Sequence, residues 1–128
     1  MPTHILDASA LLALLNKEPG GERVRELLRT GGVGMSVLNL SEVAAKLIAR
    51  GGESKAIVRL CQSQALELVA VDAGIAFTAA SLVPATHALG LSLGDRVCLA
   101  TAQQLHIPAV TADRAWEAMP GCMVELIR

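Results

Sequence analysis

Short apolar runs alternate along the chain with longer segments in which apolar residues recur at helical spacing. Five of the short runs predict strands: His4–Leu6, Val33–Ser36, Leu66–Val71, Ile107–Val110 and Met123–Ile127. The longer segments predict helices at Ala8–Asn16, Glu22–Arg29, Leu38–Arg50, Ser54–Gln64, Ala73–Leu82 and Gly94–Leu105. Pro84 is expected to end or kink the helix before it. Alternation of strand and helix is typical of βαβ units, so we predict an α/β fold with a central, mostly parallel five-stranded sheet flanked by helices.

Length and composition agree with one globular domain over residues 1–128. Hydrophobic residues make up 52% of the chain and the net charge is −1, which excludes a disordered tail and gives no electrostatic footprint of a general nucleic-acid binder. The chain has one Phe, one Trp and no Tyr, which argues against binding of single strands by stacked bases. Any partner that bears phosphate must therefore be bound by a local group of side chains rather than by the overall charge of the protein.

The cysteines and the N-terminus indicate a cytoplasmic protein. Cys61, Cys98 and Cys122 are odd in number, far apart and set in apolar surroundings, so they are expected to be free core thiols rather than a disulfide framework or a zinc site. The first apolar stretch is too short to span a bilayer and carries Asp7. We expect neither an export signal nor a membrane anchor.

The chain contains four aspartates, each at the start of a predicted helix: Asp7, Asp72, Asp95 and Asp113. Capping of the first turn alone would explain this distribution. However, the carboxyl ends of parallel strands meet at one edge of a sheet, where open α/β folds place their ligands. Asp7 and Asp113 each follow a strand, and Asp95 begins the helix that leads into the latter strand. Glu42 lies one turn into the helix after the second strand, so we expect four carboxylates to converge.

Convergent carboxylates need a cation. Two unit charges about 4 Å apart repel by about 4 kcal/mol at an effective dielectric constant near 20, so an ionised cluster is costly unless it is neutralised. Hard oxygen ligands suit Mg²⁺ or Mn²⁺, and Mg²⁺ usually keeps several waters. Such an ion can hold a scissile phosphate and activate a water for in-line attack. The acids thus predict metal-dependent chemistry on a phosphate ester.

Four motifs in this sequence resemble those of the PIN domains, and among them the VapC-type toxin ribonucleases of toxin–antitoxin pairs. "ILDASALLALL" resembles the opening motif, "SVLNLSEVAAKL" the glutamate helix, "GLSLGDRVCLATA" the third acid and "IPAVTADRAW" the closing motif. The resemblance covers nearly the whole chain in order and spacing. It implies a three-layer PIN-like fold and an Mg²⁺-dependent endoribonuclease of RNA, restrained by a cognate antitoxin and working as a homodimer.

The resemblance also assigns residues. It implies an acidic catalytic pocket formed by Asp7, Glu42, Asp95 and Asp113. Within that pocket, Asp7 and Asp95 are the implied direct ligands of the metal. Ser9 and Thr111 match hydroxyl positions that line it.

Other residues have simpler expected roles. Asp72 is expected to be a helix N-cap beside an edge strand, because the family pattern has no acid there. Glu42 is expected on a mostly buried helix because of its neighbours Val43, Ala44, Ala45 and Leu47, and a buried glutamate needs a partner.

Trp116 is expected in the core. Arg96 and Arg114 either pair with the adjacent acids or contact RNA phosphate. The histidines are expected at the surface or at strand ends rather than as ligands: His4, His87 and His106.

Two other functions could use an acidic pocket in a parallel α/β fold. An aspartyl phosphotransferase commonly has a second acid two residues after the first, whereas this motif reads Asp7-Ala8-Ser9. A receiver-like signalling module needs paired acids at the first strand and a lysine after the last central strand, where this chain has Thr111-Ala112-Asp113. The sequence therefore favours the ribonuclease.

Overall fold

The sheet of the computed structural model, which describes residues 2–128, has five parallel strands. They are β1 (His4–Leu6), β2 (Val33–Ser36), β3 (Glu67–Val69), β4 (Ala109–Thr111) and β5 (Val124–Leu126). Their order across the sheet is β3-β2-β1-β4-β5, and every neighbouring pair is parallel. The predicted α/β fold with a five-stranded sheet is confirmed.

Seven α-helices and a 3₁₀ helix connect the strands over the described residues. They are α1 (Ala8–Leu15), α2 (Gly21–Thr30), α3 (Val37–Ala49), α4 (Ser54–Gln62), α5 (Ala73–Ser81), α6 (Val83–His87), α7 (Leu93–Leu105) and the 3₁₀ helix Arg114–Ala118. Within residues 2–128, no helix is both long and apolar enough to cross a membrane.

The sheet is covered on both faces because successive side chains of a strand point to opposite sides. Leu6 of β1 packs with Leu11 and Val24 in a cluster built from α1 to α4. Its neighbour Ile5 packs with Cys98 and Trp116 in a cluster formed by α7 and the 3₁₀ helix. Each fully buried side chain of this size contributes about 1.5–3 kcal/mol. The core therefore fixes β1 at the centre of the molecule, with layers of helices on either side.

The differences from the predicted elements lie at strand and helix ends. The third strand is shorter than Leu66–Val71 because it lies at the sheet edge, where Leu68 is 51% exposed and alternation carries less information. The fourth strand begins at Ala109, after Pro108, which has no N–H to donate to the ladder. Helix α5 ends before Pro84 as predicted, but the proline then lies in the first turn of α6, which the sequence did not predict.

Candidate active site

Asp7 lies at the carboxyl end of the central strand and caps α1. Its carboxylate accepts a hydrogen bond from the Ala10 N–H at 2.8 Å. The Ser9 hydroxyl lies 2.8 and 2.9 Å from the two carboxylate oxygens, and the Thr111 hydroxyl donates to Oδ2 at 2.6 Å. Only 3% of Asp7 is exposed. The opening motif and the end of β4 thus hold one buried carboxylate by three donors.

The position of Asp7 raises its pKa. Burial is the largest cause and raises the pKa from 3.8 to about 6, although the hydrogen bonds from Thr111, Ala10 and Ser9 oppose it. The nearby negative charge of Asp95 raises the pKa of Asp7 further. A carboxylate held this way gains from a cation beside it, because the cation favours the ionised form.

Asp95 and Asp113 are positioned by local caps. Asp95 lies in the first turn of α7 and forms a capping box with Ser92, in which the Ser92 N–H donates to its carboxylate at 2.9 Å. Asp113 follows β4 and accepts from the Ala115 N–H at 3.0 Å, so it begins the 3₁₀ helix. Asp95 is half-buried and Asp113 is exposed. Asp113 therefore caps a helix and Asp95 lies in the first turn of one, so both lie where a helix starts, as predicted.

Glu42 reaches the site from α3 by a contact between two helices. Asn39, which is 1% exposed, donates to the Gly94 carbonyl at 3.0 Å and to the Glu42 carboxylate at 3.4 Å, and its own Oδ1 accepts from the Ser36 hydroxyl at 2.6 Å. A Cβ at Gly94 would overlap the Glu42 carboxylate. Neither Asn39 nor Gly94 was predicted from the sequence to position Glu42. A buried amide one turn before an acid is the signal that could have indicated Asn39.

The four acids line one pocket of about 540 Å³. The lining residues are Asp7, Ala8, Ser9, Glu42, Ala45, Lys46, Ser92, Asp95 and Asp113. Beneath it, burial raises the pKa of the Cys98 thiol, and the charges of Asp7, Asp95 and Glu42 raise it further. The structure therefore brings the predicted acids together at the carboxyl edge of the sheet, while their catalytic roles stay predictions.

The donor chemistry of the pocket fits a hydrated hard cation. Within residues 2–128, no three Asp, Glu, His or Cys side chains are arranged to ligate one ion together. Mg²⁺ does not need three, because it commonly binds through one or two carboxylates and retains water. Asp7 and Asp95 lie close enough for the charge of one to raise the pKa of the other. Asp7 and Asp95 could therefore hold Mg²⁺ or Mn²⁺, and their assignment as its ligands stays a prediction.

The expectation that Glu42 lies on a mostly buried helix is wrong. Only Asn39 and Val43 of α3 are buried, whereas Ala45 and Lys46 are exposed. A helix that covers one face of a sheet buries a stripe, and the rest of its surface remains in solvent. Glu42 is half-buried, so its environment is the wall of an open pocket.

The remaining predictions concern caps and the core. Asp72 is exposed and caps α5 through the Ile75 N–H at 2.8 Å, and β3 before it is an edge strand, as predicted. Trp116 is fully buried, which confirms the core position. The three cysteines are free, with Cys61 and Cys98 buried and Cys122 half-buried.

The histidines and the two arginines beside the acids lie outside the lining of the acidic pocket. His4 begins β1, His87 ends α6 and His106 caps α7. Neither Arg96 nor Arg114 forms an ion pair with a carboxylate anywhere in the described part of the chain. Arg96 instead donates to the Leu91 carbonyl at 3.3 Å. Contact with RNA phosphate stays open as a prediction for both.

A parallel α/β sheet with a pocket at the carboxyl ends of its central strands has this pocket where open α/β folds bind their ligands, and such folds serve many functions. The family model of the PIN domain matches residues 4–121, so this chain belongs to the PIN domain family. No curated protein sequence matches the chain.

Solved structures, VapBC and VapC20 among them, share this fold. DNA-bound VapBC of Salmonella typhimurium is similar over 100% of both chains, with 18% identity and a TM-score of 0.76. The sarcin–ricin-loop-cleaving toxin VapC20 of Mycobacterium tuberculosis is similar over 91% of this chain and 95% of its own, with 20% identity and a TM-score of 0.73. FitAcB of Neisseria gonorrhoeae is similar over 97% of both, with 21% identity and a TM-score of 0.71.

Proposed function

We propose that this protein is a metal-dependent endoribonuclease, the toxin of a type II toxin–antitoxin pair. The observation that carries the proposal is the single pocket to which four separate segments of the chain each contribute one acid. Membership in the PIN domain family favours this function over a receiver-like module or an aspartyl phosphotransferase. The RNA-cleaving neighbour VapC20 and the VapBC complexes support the substrate class and the toxin role.

Each acid has a place in the proposed reaction. Asp7 and Asp95 would hold Mg²⁺ or Mn²⁺, while the Ser9 and Thr111 hydroxyls fix the orientation of the Asp7 carboxylate. When bound, the ion supplies positive charge at the scissile phosphate and a water of lowered pKa. Glu42 and Asp113 have acceptor oxygens on the pocket wall that would orient an attacking water and accept its proton.

The proposed mechanism predicts the ends of the products. Water attacks phosphorus and the 2′-hydroxyl takes no part, so cleavage should leave a 5′-phosphate and a 3′-hydroxyl. The test is to incubate the purified protein with total RNA and Mg²⁺ and to sequence the new ends. Discrete new ends with these termini are the expected result. Cleavage in EDTA, or products with 2′,3′-cyclic phosphate, would contradict the mechanism.

The proposed antitoxin partner should cover the acidic pocket. Four carboxylates and one lysine line it, and an arginine fork matches carboxylate geometry. We therefore expect the antitoxin to place an arginine there, and its reading frame to lie next to that of the toxin. The measurement is the rate of RNA cleavage by the free protein and by the complex. Equal rates would contradict inhibition by this partner.

The proposed homodimer and cytoplasmic location have their own support. Phe77 of α5 is 77% exposed and Leu93 of α7 is 59% exposed, and α5 packs against α7. A contiguous exposed apolar patch is typical of an association surface, and we propose that these two side chains belong to one. Three free thiols suit a reducing cytoplasm. Light scattering of the wild type and of Phe77→Glu tests the dimer: we expect a dimer that the substitution weakens, and a wild-type monomer would contradict it.

A further inference from the structure

A second groove continues from the acidic pocket between α1 and α3. Its volume is about 430 Å³, and its lining residues are Ser9, Leu12, Asn16, Glu18, Lys46, Ala49 and Arg50. Ser9 and Lys46 line both this α1–α3 groove and the acidic pocket. The two therefore form one channel, with Lys46 at the junction.

The sign of charge reverses along this channel. Glu42, Lys46 and Arg50 follow one another at intervals of four residues, so they share one face of α3 and its C-terminal cap. Over residues 2–128, neither Lys46 nor Arg50 has a carboxylate within ion-pair distance, not even Glu42 one turn before Lys46. The carboxylate of Glu18 in the same groove is paired with Arg128 at 3.3 Å. Two uncompensated cations therefore lie beside the acids.

Asn16 adds a donor without an acceptor. Its side-chain Nδ2 is buried and has no hydrogen-bond partner in the described structure. An unsatisfied buried donor destabilises the free protein, so a ligand that brings an acceptor to it regains the lost hydrogen-bond energy. Lys46 and Arg50 carry only donors, and Asn16 adds an unsatisfied one, which suits the oxygens of phosphates and bases.

We propose that the α1–α3 groove is the subsite for the stretch of RNA next to the scissile phosphate. Lys46 and Arg50 bind non-scissile phosphates, and the Asn16 amide donates to a base or phosphate oxygen. This proposal rests on the proposed ribonuclease function. The subsite explains how a chain of net charge −1 binds a polyanion. The affinity comes from two neighbouring cations, which bind the RNA next to the acidic pocket.

The salt dependence of RNA binding tests the subsite, because each phosphate contact contributes a slope of about −0.7 to log K against log salt for a single strand. Binding of an oligouridine is measured in EDTA with Asp7→Asn as the common background, which prevents cleavage. Adding Lys46→Gln or Arg50→Gln should each reduce the slope by about 0.7 and weaken binding by roughly five- to tenfold at about 50 mM salt. Near about 1 M salt, the variants should converge.

Helix α4 provides a matched control. Lys55 and Arg59 are the same residue types at the same spacing as Lys46 and Arg50. They are exposed, and they also form no ion pair within residues 2–128. Neither residue lines the channel. Lys55→Gln and Arg59→Gln should leave the slope and the affinity unchanged. Asn16→Leu in the groove should weaken binding without a change in slope, since it removes a donor and no charge.

The outcomes separate this proposal from the function on which it rests. If the wild type cleaves RNA while the Lys46 and Arg50 variants keep the slope of the background, the subsite is wrong and the ribonuclease stands. If those variants instead only lower the melting temperature, the two cations merely complement the carboxyl end of α3, which also contradicts the subsite. Equal effects of the α4 variants would show general attraction and overturn it. If the wild type neither binds nor cleaves RNA, both proposals fail.

Discussion

Asp7 and Asp72 have almost the same local structure and very different surroundings. Both follow a strand, both have extended backbone (φ −85°, ψ 177° and φ −89°, ψ 178°), and both accept from the N–H three residues on at 2.8 Å. Asp72 is exposed, whereas Asp7 is 3% exposed with its pKa raised to about 6. The local sequence determines that each aspartate caps a helix, whereas the position of its strand in the sheet determines whether it belongs to the candidate site.

Topology causes the difference. Asp7 follows β1, the middle strand, so the residues after β4, the middle of α3 and the first turn of α7 surround it. Asp72 follows β3 at the edge, where no strand lies beyond it. A carboxylate between strands loses water and gains acidic neighbours, which raises its pKa and creates a demand for a cation. The same residue type at the edge remains only a cap.

The largest expected effect comes from removal of divalent ions. If the cluster around Asp7 works only with a cation, EDTA should lower RNA cleavage by at least about a hundredfold, and excess Mg²⁺ or Mn²⁺ should restore it. The measurement is the initial rate of cleavage before and after chelation. Retained activity in EDTA would mean that the buried acids act without a metal.

The second expected effect is a dependence of folding stability on pH that Asp7 causes and Asp72 does not. The pKa of Asp7 is 3.8 in the unfolded reference and about 6 in the fold. Below pH 3.8 the group is protonated in both states and costs nothing. As pH rises towards about 6, the unfolded chain releases the proton first, so native stability falls, on the order of 3 kcal/mol in total. Above about pH 6 the loss is complete.

Asp7→Asn removes this cost and keeps the cap, because Asn caps as well as Asp and the Ser9 and Thr111 hydroxyls can also accept hydrogen bonds. Without divalent ions, the variant should match the wild type near pH 4 and exceed it above pH 6 by up to about 3 kcal/mol in urea unfolding. Asp72→Asn should follow the wild type at each pH. A stability difference that does not vary with pH would contradict the buried, charged state of Asp7.

The third effect is the stabilisation of the fold by metal. Only the folded state offers the pocket, so Mg²⁺ or Mn²⁺ at about a hundred times its Kd should add about 2.7 kcal/mol and raise the melting temperature. The rise should shrink in Asp7→Asn and remain in Asp72→Asn. Equal rises in all three proteins would place the bound metal away from Asp7.

The smallest effect isolates the cap. Asp72→Ala removes the side-chain acceptor for the Ile75 N–H and should cost about 1 kcal/mol of unfolding free energy. Asp72→Asn, which keeps an acceptor, is the control and should cost little. Neither change should alter RNA cleavage. A loss of activity in Asp72→Asn would show that this edge aspartate also serves the site.

The sequence was most informative where local chemistry and burial agree. The bounds of β1 and β2 match the prediction because both are buried strands that end at a helix cap. The parallel order of strands was enough to predict that Asp7, Asp95 and Asp113 meet. The exposed edge strand β3 and the short helix α6 were less predictable because little apolar burial defines them.

Side-chain contacts between packed helices could not be predicted from the sequence. Asn39 and Gly94 are 55 residues apart, and the space that Gly94 leaves for the Glu42 carboxylate appears only when α3 and α7 are packed. Lys46 likewise carries no sign in the sequence of its position between the acidic pocket and the α1–α3 groove. Such features depend on tertiary packing, whereas caps and strand ends depend on neighbours in the chain.

The most direct test of the central claim is the initial rate of RNA cleavage with Mg²⁺ by wild type, Asp7→Asn and Asp72→Asn, with all three shown to be folded. Both substitutions remove one carboxylate charge and keep one helix cap. We predict that Asp7→Asn loses at least about a hundredfold in rate, while Asp72→Asn matches the wild type. Near wild-type cleavage by Asp7→Asn, or its loss in Asp72→Asn, would contradict the assignment of the central aspartate to catalysis and of the edge aspartate to capping.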